Sequence, residues 1–294
     1  MRICFLVEEQ YRNDGMPLDV VCRLRAWGHR VDVLRPGSSL LDLGALIRGG
    51  DHDAWVLKTV SGGPGLGLLE AAAATGLTTI NDARAIRGVR DKAQAAVLAE
   101  VAGLPVPATW AAARTEDLAR IPEDRYPLVV KPADGSSGRA VHRIDRPEQL
   151  ASLTGLREHP GGEGLLLAQP YVPNAGVDLK VYCAAGELFG TERTSPLVAG
   201  GGPVRERPVK LGAEVAAIAT AVGEVYGLDL YGVDILLGPD GPVVVDVNDF
   251  PSFRQVPDAV DRVSRAILRL ARNGSSWPSA VPRGVRIPEQ AAAL

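Results

Sequence analysis

The segment that most constrains the fold is a pair of alternating runs, Leu230-Tyr-Gly-Val-Asp-Ile-Leu-Leu237 and Val243-Val-Val-Asp-Val-Asn248, separated by Gly238-Pro-Asp-Gly241-Pro242. Turn residues between two such runs predict an antiparallel hairpin. Pairing about residue 240, with 238–242 as the loop, sets Asp234 opposite Asp246. Asn248 follows two residues on, so all three share one face. The odd positions Val233, Ile235, Leu237, Val243, Val245 and Val247 make an apolar face for the core. Two carboxylates directly opposite repel unless a positive charge sits between them. An oxygen-only set suits Mg²⁺, which takes one or two carboxylates and fills its remaining positions with water and phosphate oxygens. The alternative is the solvent-facing polar side of an edge hairpin.

The N-terminal third has a different grammar. Residues 2–7 read as a buried strand, Pro17–Trp27 as a helix ended by Gly28, and Arg30–Leu34 and Ala54–Val60 as further strands. Leu66–Thr75 reads as a helix stopped by Gly76, before a short strand at Thr78–Ile80. Alternation of this kind gives a parallel sheet covered by helices. The style changes near residue 88. A helix over 91–102 is capped by Asp91 and closed by Gly103 before Pro105-Val-Pro107. Beyond it, Gly186 punctuates strands at 179–184 and 187–191, a second antiparallel hairpin. The expected organisation is an α/β lobe at 1–88, a central lobe at 89–175, a C-terminal lobe at 176–272 and a loose tail at 273–294.

Composition narrows the function classes. A formal net charge of −3 argues against nucleic-acid binding driven by global positive charge. No apolar run approaches the roughly 20 residues of a membrane span, and the first seven residues are too short for a signal-peptide core. A cytoplasmic protein without a membrane partner is expected. Cys4, Cys22 and Cys183 are widely spaced, so buried reduced thiols are expected rather than disulfides or zinc. Ser61-Gly-Gly-Pro-Gly-Leu-Gly67 follows a strand but lacks the G-x-G-x-x-G spacing, which disfavours a dinucleotide fold.

Leu128-Val-Val-Lys-Pro132 runs into Ala133-Asp-Gly-Ser-Ser-Gly138. Two glycines and two serines can offer amides and hydroxyls to phosphate oxygens, although a plain Gly-Ser turn fits the same residues. Lys92, in the first turn of a helix, opposes the helix dipole and reads either as a solvated charge or as a phosphate contact. Lys180 shares a strand face with Asp178 and Tyr182, an arrangement that is also ordinary on an open sheet.

In order, Asp91-Lys92, Gly103-Leu-Pro-Val-Pro107, Val129-Val-Lys-Pro132 with the Gly-Ser loop, Leu165–Val172, Gly232-Val-Asp234 and Asp246-Val-Asn248 resemble the ATP-grasp superfamily over about residues 85–270. The resemblance implies an α/β N-terminal lobe and two α+β lobes, with ATP held between two antiparallel sheets. It implies that Lys92 and Lys131 contact phosphates or the adenine edge, and that Ser136, Ser137 and Gly138 close over the β- and γ-phosphates. Gln169, Pro170, Tyr171 and Val172 become a hinge whose backbone binds adenine. Asp178 lies near the ribose and Lys180 near phosphate or acceptor. Asp234, Asp246 and Asn248 hold Mg²⁺, for which Mn²⁺ could substitute. Asp246 departs from the glutamate more common there.

Two branches of the superfamily are similar to this chain. Glutamate ligases, which join amino acids to protein or carrier carboxylates through an acyl phosphate, share the Gly-Ser loop and the Asp91–Pro107 segment. In that reading Arg193 stabilises the acyl phosphate, although Gly200-Gly-Gly202 lacks that group's neighbouring asparagine. Inositol-phosphate kinases share Lys180-Val-Tyr182, Asp246–Pro251 and Leu57-Lys58, with Lys58, Lys180, Arg193, Arg205, Arg207 and Lys210 as candidate acceptor cations. The ligase, acting on a small-molecule or peptide acceptor, is favoured. The kinase is second, and an ATP-binding protein without catalysis is third. A homo-oligomer is compatible with the sequence.

Overall fold

The computed structural model describes residues 1–11, 15–48, 51–58, 63–134, 141–158, 164–194 and 206–277. Three sheets organise them. The first is parallel, built from β1 (Arg2–Val7), β2 (Arg30–Leu34), β3 (Ala54–Lys58) and β4 (Thr79–Ile80) in the order β2-β1-β3-β4. Residues 3–7 and all of β3 are buried, as expected for a parallel sheet covered on both faces. The covering helices are α1 (Gly15–Ala26), α2 (Leu43–Arg48) and α3 (Gly65–Ala74).

Helix α4 (Ala83–Arg90) is capped by Asp82, whose carboxylate accepts the amide of Arg84 at 2.9 Å. The stylistic break read at residue 88 falls inside it. Helix α5 (Lys92–Ala102) follows at once: Asp91 accepts the amides of Ala93 and Gln94 at 3.0 Å, and Gly103 closes the helix at φ 77°. The second sheet is antiparallel, with β5 (Trp110–Ala112), β6 (Leu128–Pro132), β7 (His142–Ile144) and β8 (Leu166–Pro170) in the order β5-β8-β6-β7. Helix α6 (Thr115–Leu118) closes its core through Leu118.

The third sheet contains β9 (Val177–Ala184), β10 (Glu187–Thr194), β11 (Glu206–Val209), β12 (Leu230–Gly238) and β13 (Gly241–Asp249), all antiparallel, in the order β11-β10-β9-β12-β13. The β9–β10 turn is Ala185-Gly186, both at positive φ, the geometry that suits a two-residue hairpin. Helix α7 (Ala213–Tyr226) backs this sheet and α8 (Ala259–Asn273) packs on α1, so the large sheet and the N-terminal sheet share one core. Helix α5, next in sequence to the second sheet, packs instead with α7 on the third.

The β12–β13 hairpin keeps its expected centre, with Asp234 opposite Asp246 and Gly232 opposite Asn248. It is otherwise corrected. Gly238 pairs with Gly241, so only Pro239-Asp240 turns, and the register slips by one between Asp234 and Ile235. Val245 is the extra residue of the resulting bulge. Toward the turn, Val244 is therefore the buried residue, while Val243 is only half-buried and Leu237 is 50% exposed. Cys4 and Cys183 are buried free thiols, but Cys22 lies on the exposed side of α1. Among the described residues no helix is long and apolar enough to cross a membrane. The Gly-Ser loop with Ser136, Ser137 and Gly138, the Gly200–Gly202 run, Arg205 and most of the tail lie outside the described residues.

Candidate active site

Cross-strand register builds the site. Asp234 on β12 lies opposite Lys180 on β9, and Arg193 on β10 lies opposite Asp178 on β9. The pairs interlock. Lys180 Nζ donates to Asp234 Oδ1 at 2.7 Å, and Arg193 Nη2 donates to Asp234 Oδ2 at 3.0 Å and lies 3.6 Å from Asp178. One strand over, Asp246 pairs with the Lys92 ammonium and accepts from Asn248 Nδ2 at 3.2 Å. The sheet therefore gathers Asp178, Lys180, Arg193, Asp234, Asp246 and Asn248 on one face; the sequence set Asp234, Asp246 and Asn248 together and Asp178 with Lys180, but gave no face to Arg193.

Two lysines bridge this face to the second sheet. The Lys92 amide donates to Ala133 O, just past β6, at 3.0 Å, while its side chain reaches Asp246. Lys131 Nζ donates to Val245 O at 3.2 Å, the carbonyl presented by the bulge. Burial depresses the Lys131 pKa and Lys92 adds to it, with Asp246 and Asp234 opposing. Burial alone would raise Asp246, but Lys92, Lys131 and Lys180 together hold its carboxyl below the usual range. For Arg193, too, burial opposes the charge, and Asp234 and Asp178 outweigh it. The two carboxylates are thus balanced by cations that a phosphorylated ligand could also use.

Between the two antiparallel sheets lies an open cleft. Val89, Val106, Leu167 and Tyr226 make it apolar, while Lys92, Lys131 and Asp246 make one end polar. That division suits a flat ring carrying a charged chain. Gln169 also lines the cleft, its amide donating to Thr109 Oγ1 at 2.9 Å.

The other two hinge candidates, Tyr171 and Val172, follow β8 directly. The Tyr171 amide already donates to Pro127 O at 2.8 Å, and its ring stacks under Arg143 at 4.3 Å. Val172 packs at the β12 turn, where a Cβ on Gly238 would come within 3.0 Å of it. Asp178, expected near a ribose, lies 3.6 Å from the Arg193 guanidinium.

Three features escaped the sequence reading. Arg90 forms a two-pronged pair with Asp249, both contacts at 3.1 Å and both side chains largely buried. The Tyr226 hydroxyl donates to Ala95 O at 2.7 Å and so closes one wall of the cleft. Asn81 ties the N-terminal sheet to the third, donating to Leu230 O and accepting the amides of Asp229 and Leu230. No local sequence pattern points to any of them. Lys58, a candidate acceptor cation, is buried, donates to Phe250 O and lies 4.9 Å from the Tyr11 ring centre.

A parallel lobe set beside two antiparallel lobes that share a cleft is the ATP-grasp arrangement, and known proteins agree. The RimK-like ATP-grasp domain family matches residues 89–263, and the chain belongs to that family. A probable alpha-L-glutamate ligase of Thioalkalivibrio sulfidiphilus is 30% identical over 215 residues, 67% of this chain and 68% of that one. The RimK domain ATP-grasp protein of Sphaerobacter thermophilus superposes with a TM-score of 0.71 at 21% identity, covering 91% of this chain and all of that one. The ATP complex of D-alanine–D-alanine ligase from Bacillus anthracis gives 0.70 at 18%, covering 93% and 99%. The similarity to inositol-phosphate kinases finds no support in these comparisons.

Proposed function

We propose that this protein is an ATP-dependent carboxylate–amine ligase, forming an acyl phosphate and then an amide with release of ADP and phosphate. One observation carries the reading. The polar end of an apolar cleft, marked by Lys92 and Lys131, opens onto a sheet face where Asp234 and Asp246 meet Lys180 and Arg193. The names of the relatives, ligases of glutamate and of alanine, point the same way.

In this reading the cleft takes adenine against Val89, Val106, Leu167 and Tyr226, with Gln169 at its edge. Lys92 and Lys131 contact the phosphates, and Ser136, Ser137 and Gly138 cover them. The donor set fits Mg²⁺: two carboxylates from paired strands and the Asn248 amide oxygen are hard oxygen ligands, and phosphate oxygens complete the shell. Among the described residues no three acidic, histidine or cysteine side chains cluster, so the protein alone offers an incomplete cage. Mg²⁺, when bound, supplies charge neutralisation at the transferring phosphoryl group. Lys180 and Arg193 exchange their bonds to Asp234 for the phosphoryl and acyl oxygens as negative charge develops there.

Lobes at 1–88, 89–175 and 176–272, with a tail at 273–294, remain the proposed division, the cytoplasm the proposed compartment, and an amino acid or peptide the proposed acceptor. The kinase alternative needs clustered free cations. Instead Arg193 is held by Asp234, Arg207 by Glu192 at 2.8 Å, and Lys58 by Phe250 O. The test uses a glutamyl peptide with ¹⁸O in its carboxyl groups, MgATP and L-glutamate. An acyl-phosphate route carries one ¹⁸O into the released phosphate, and unlabelled phosphate rejects it.

A further inference from the structure

Helix α5 packs on the third sheet and β5 belongs to the second, so residues 103–109 must cross between them. Pro105 and Pro107 stiffen this crossing, since each fixes its φ and offers a carbonyl without an amide. Pro105 O accepts the Val244 amide of β13 at 2.7 Å, which pins the segment to the third sheet. Thr109 Oγ1 donates to Pro107 O at 3.1 Å, a local bond of the kind short hydroxyl side chains make to nearby backbone. From the second sheet, Gln169 of β8 donates through Nε2 to Thr109 Oγ1 at 2.9 Å. Two hydrogen bonds in series therefore tie Gln169 to a segment anchored on the opposite sheet.

The direction of these bonds fixes the amide. A hydroxyl has a single proton, and Thr109 commits it to Pro107 O, so toward Gln169 it can only accept. Gln169 must then present its NH₂ group to Thr109, which turns Oε1 away from the hydroxyl. Gln169 is 8% exposed and lines the cleft with Val106, Leu167 and Val244. Among the described residues nothing donates to its Oε1. Acceptors buried to this degree are rarely left without a donor, so a ligand bearing an N–H at this edge completes the site.

We infer that Thr109 is a positioning residue for nucleobase choice: it holds the Gln169 amide so that Oε1 accepts a hydrogen bond from the 6-amino group of adenine. The inference rests on the reading of this cleft as the nucleotide site and names how the site tells one purine from another. Adenine brings an N–H where hypoxanthine and guanine bring a carbonyl oxygen. Two acceptors then face each other, and neither finds a donor. A site built around a hydrogen bond rejects the analogue lacking it more strongly than apolar contact can.

Isothermal titration of the full-length protein with the Mg²⁺ complexes of ADP, IDP and purine riboside diphosphate tests this. IDP replaces the 6-amino group by oxygen and purine riboside diphosphate by hydrogen, and diphosphates avoid turnover. The wild type is expected to bind each analogue about 10- to 100-fold more weakly than ADP, the cost of a lost hydrogen bond and an unpaired acceptor. Thr109→Val keeps the shape but frees the amide to turn over, and brings IDP within about threefold of ADP. Thr109→Ala carries the same prediction should Thr109→Val fold poorly, and Thr109→Ser retains the wild-type ratio. Gln169→Glu presents oxygen on both sides and needs no positioning, so it keeps the preference. Adding Thr109→Val to Gln169→Glu then changes the ratio no further. A general loosening of the cleft would instead weaken all three nucleotides alike, and the melting temperature reports folding.

Equal binding of ADP and either analogue by the wild type overturns the inference. So does a wild-type ratio retained in both Thr109→Val and Thr109→Ala. Failure of the nucleotide reading looks different, since none of the three then binds, and that result overturns both.

Discussion

The proposed phosphate site and the seam between the N-terminal and third sheets are built on opposite principles. The phosphate end rests on neighbours in register: Asp234 beside Lys180 and Asp246 on adjoining strands, and Arg193 beside Asp178. The seam rests on contacts between residues far apart in sequence, Lys58 with Phe250 and Asn81 with Leu230. Register follows from strand alternation and turn chemistry, so a sequence displays it. Long-range contacts follow from how whole lobes pack, and no local pattern announces them.

The sharpest way to break this contrast is at the phosphate end. Asp246→Ala is expected to lower Mg²⁺-dependent ADP formation by about 100- to 1,000-fold, the usual effect of removing a main electrostatic stabiliser. Steady-state assays across Mg²⁺ concentrations check it, and wild-type turnover would remove Asp246 from the site. Arg193→Met is expected to reduce kcat by about 100-fold with little change in the KM for ATP, because its contact strengthens only as charge develops. A change confined to KM for ATP would reassign Arg193 to nucleotide binding.

The inter-element contacts should register in stability. Arg90→Ala leaves Asp249 buried without its two-pronged partner and is expected to cost about 3 kcal/mol. Urea unfolding measures it, and a loss near zero would mean that Asp249 is readily hydrated. Asp91→Ala removes the cap of α5 and is expected to cost about 1 kcal/mol. The shift in thermal midpoint should be correspondingly the smallest of the set.

Legibility in the sequence tracks the same divide. Asp234, Asp246 and Asn248 could be set on one face because both strands alternate about a single centre, and the structure keeps that register. The bulge at Val245 could not be read. Contacts from elsewhere fix it, with Lys131 on Val245 O and the Val244 amide on Pro105 O. The bond from the Tyr171 amide to Pro127 O likewise has no local signature. Helix α8 was overlooked although its pattern is plain: Arg262, Arg265, Arg269 and Arg272 mark one side, Val263, Ile267 and Leu270 the buried one. Arg90 with Asp249 joins residues 159 apart, which only the folded chain brings together.

The central claim is that MgATP activates a carboxylate as an acyl phosphate on the face carrying Asp234, Asp246 and Arg193. Hydroxylamine trapping tests it most directly. With MgATP, a glutamyl peptide and hydroxylamine but no amine substrate, the protein should yield hydroxamate and ADP in equal amounts, and Asp246→Ala should yield neither. ADP formed alongside a stable phosphorylated product, with no hydroxamate, would contradict the account.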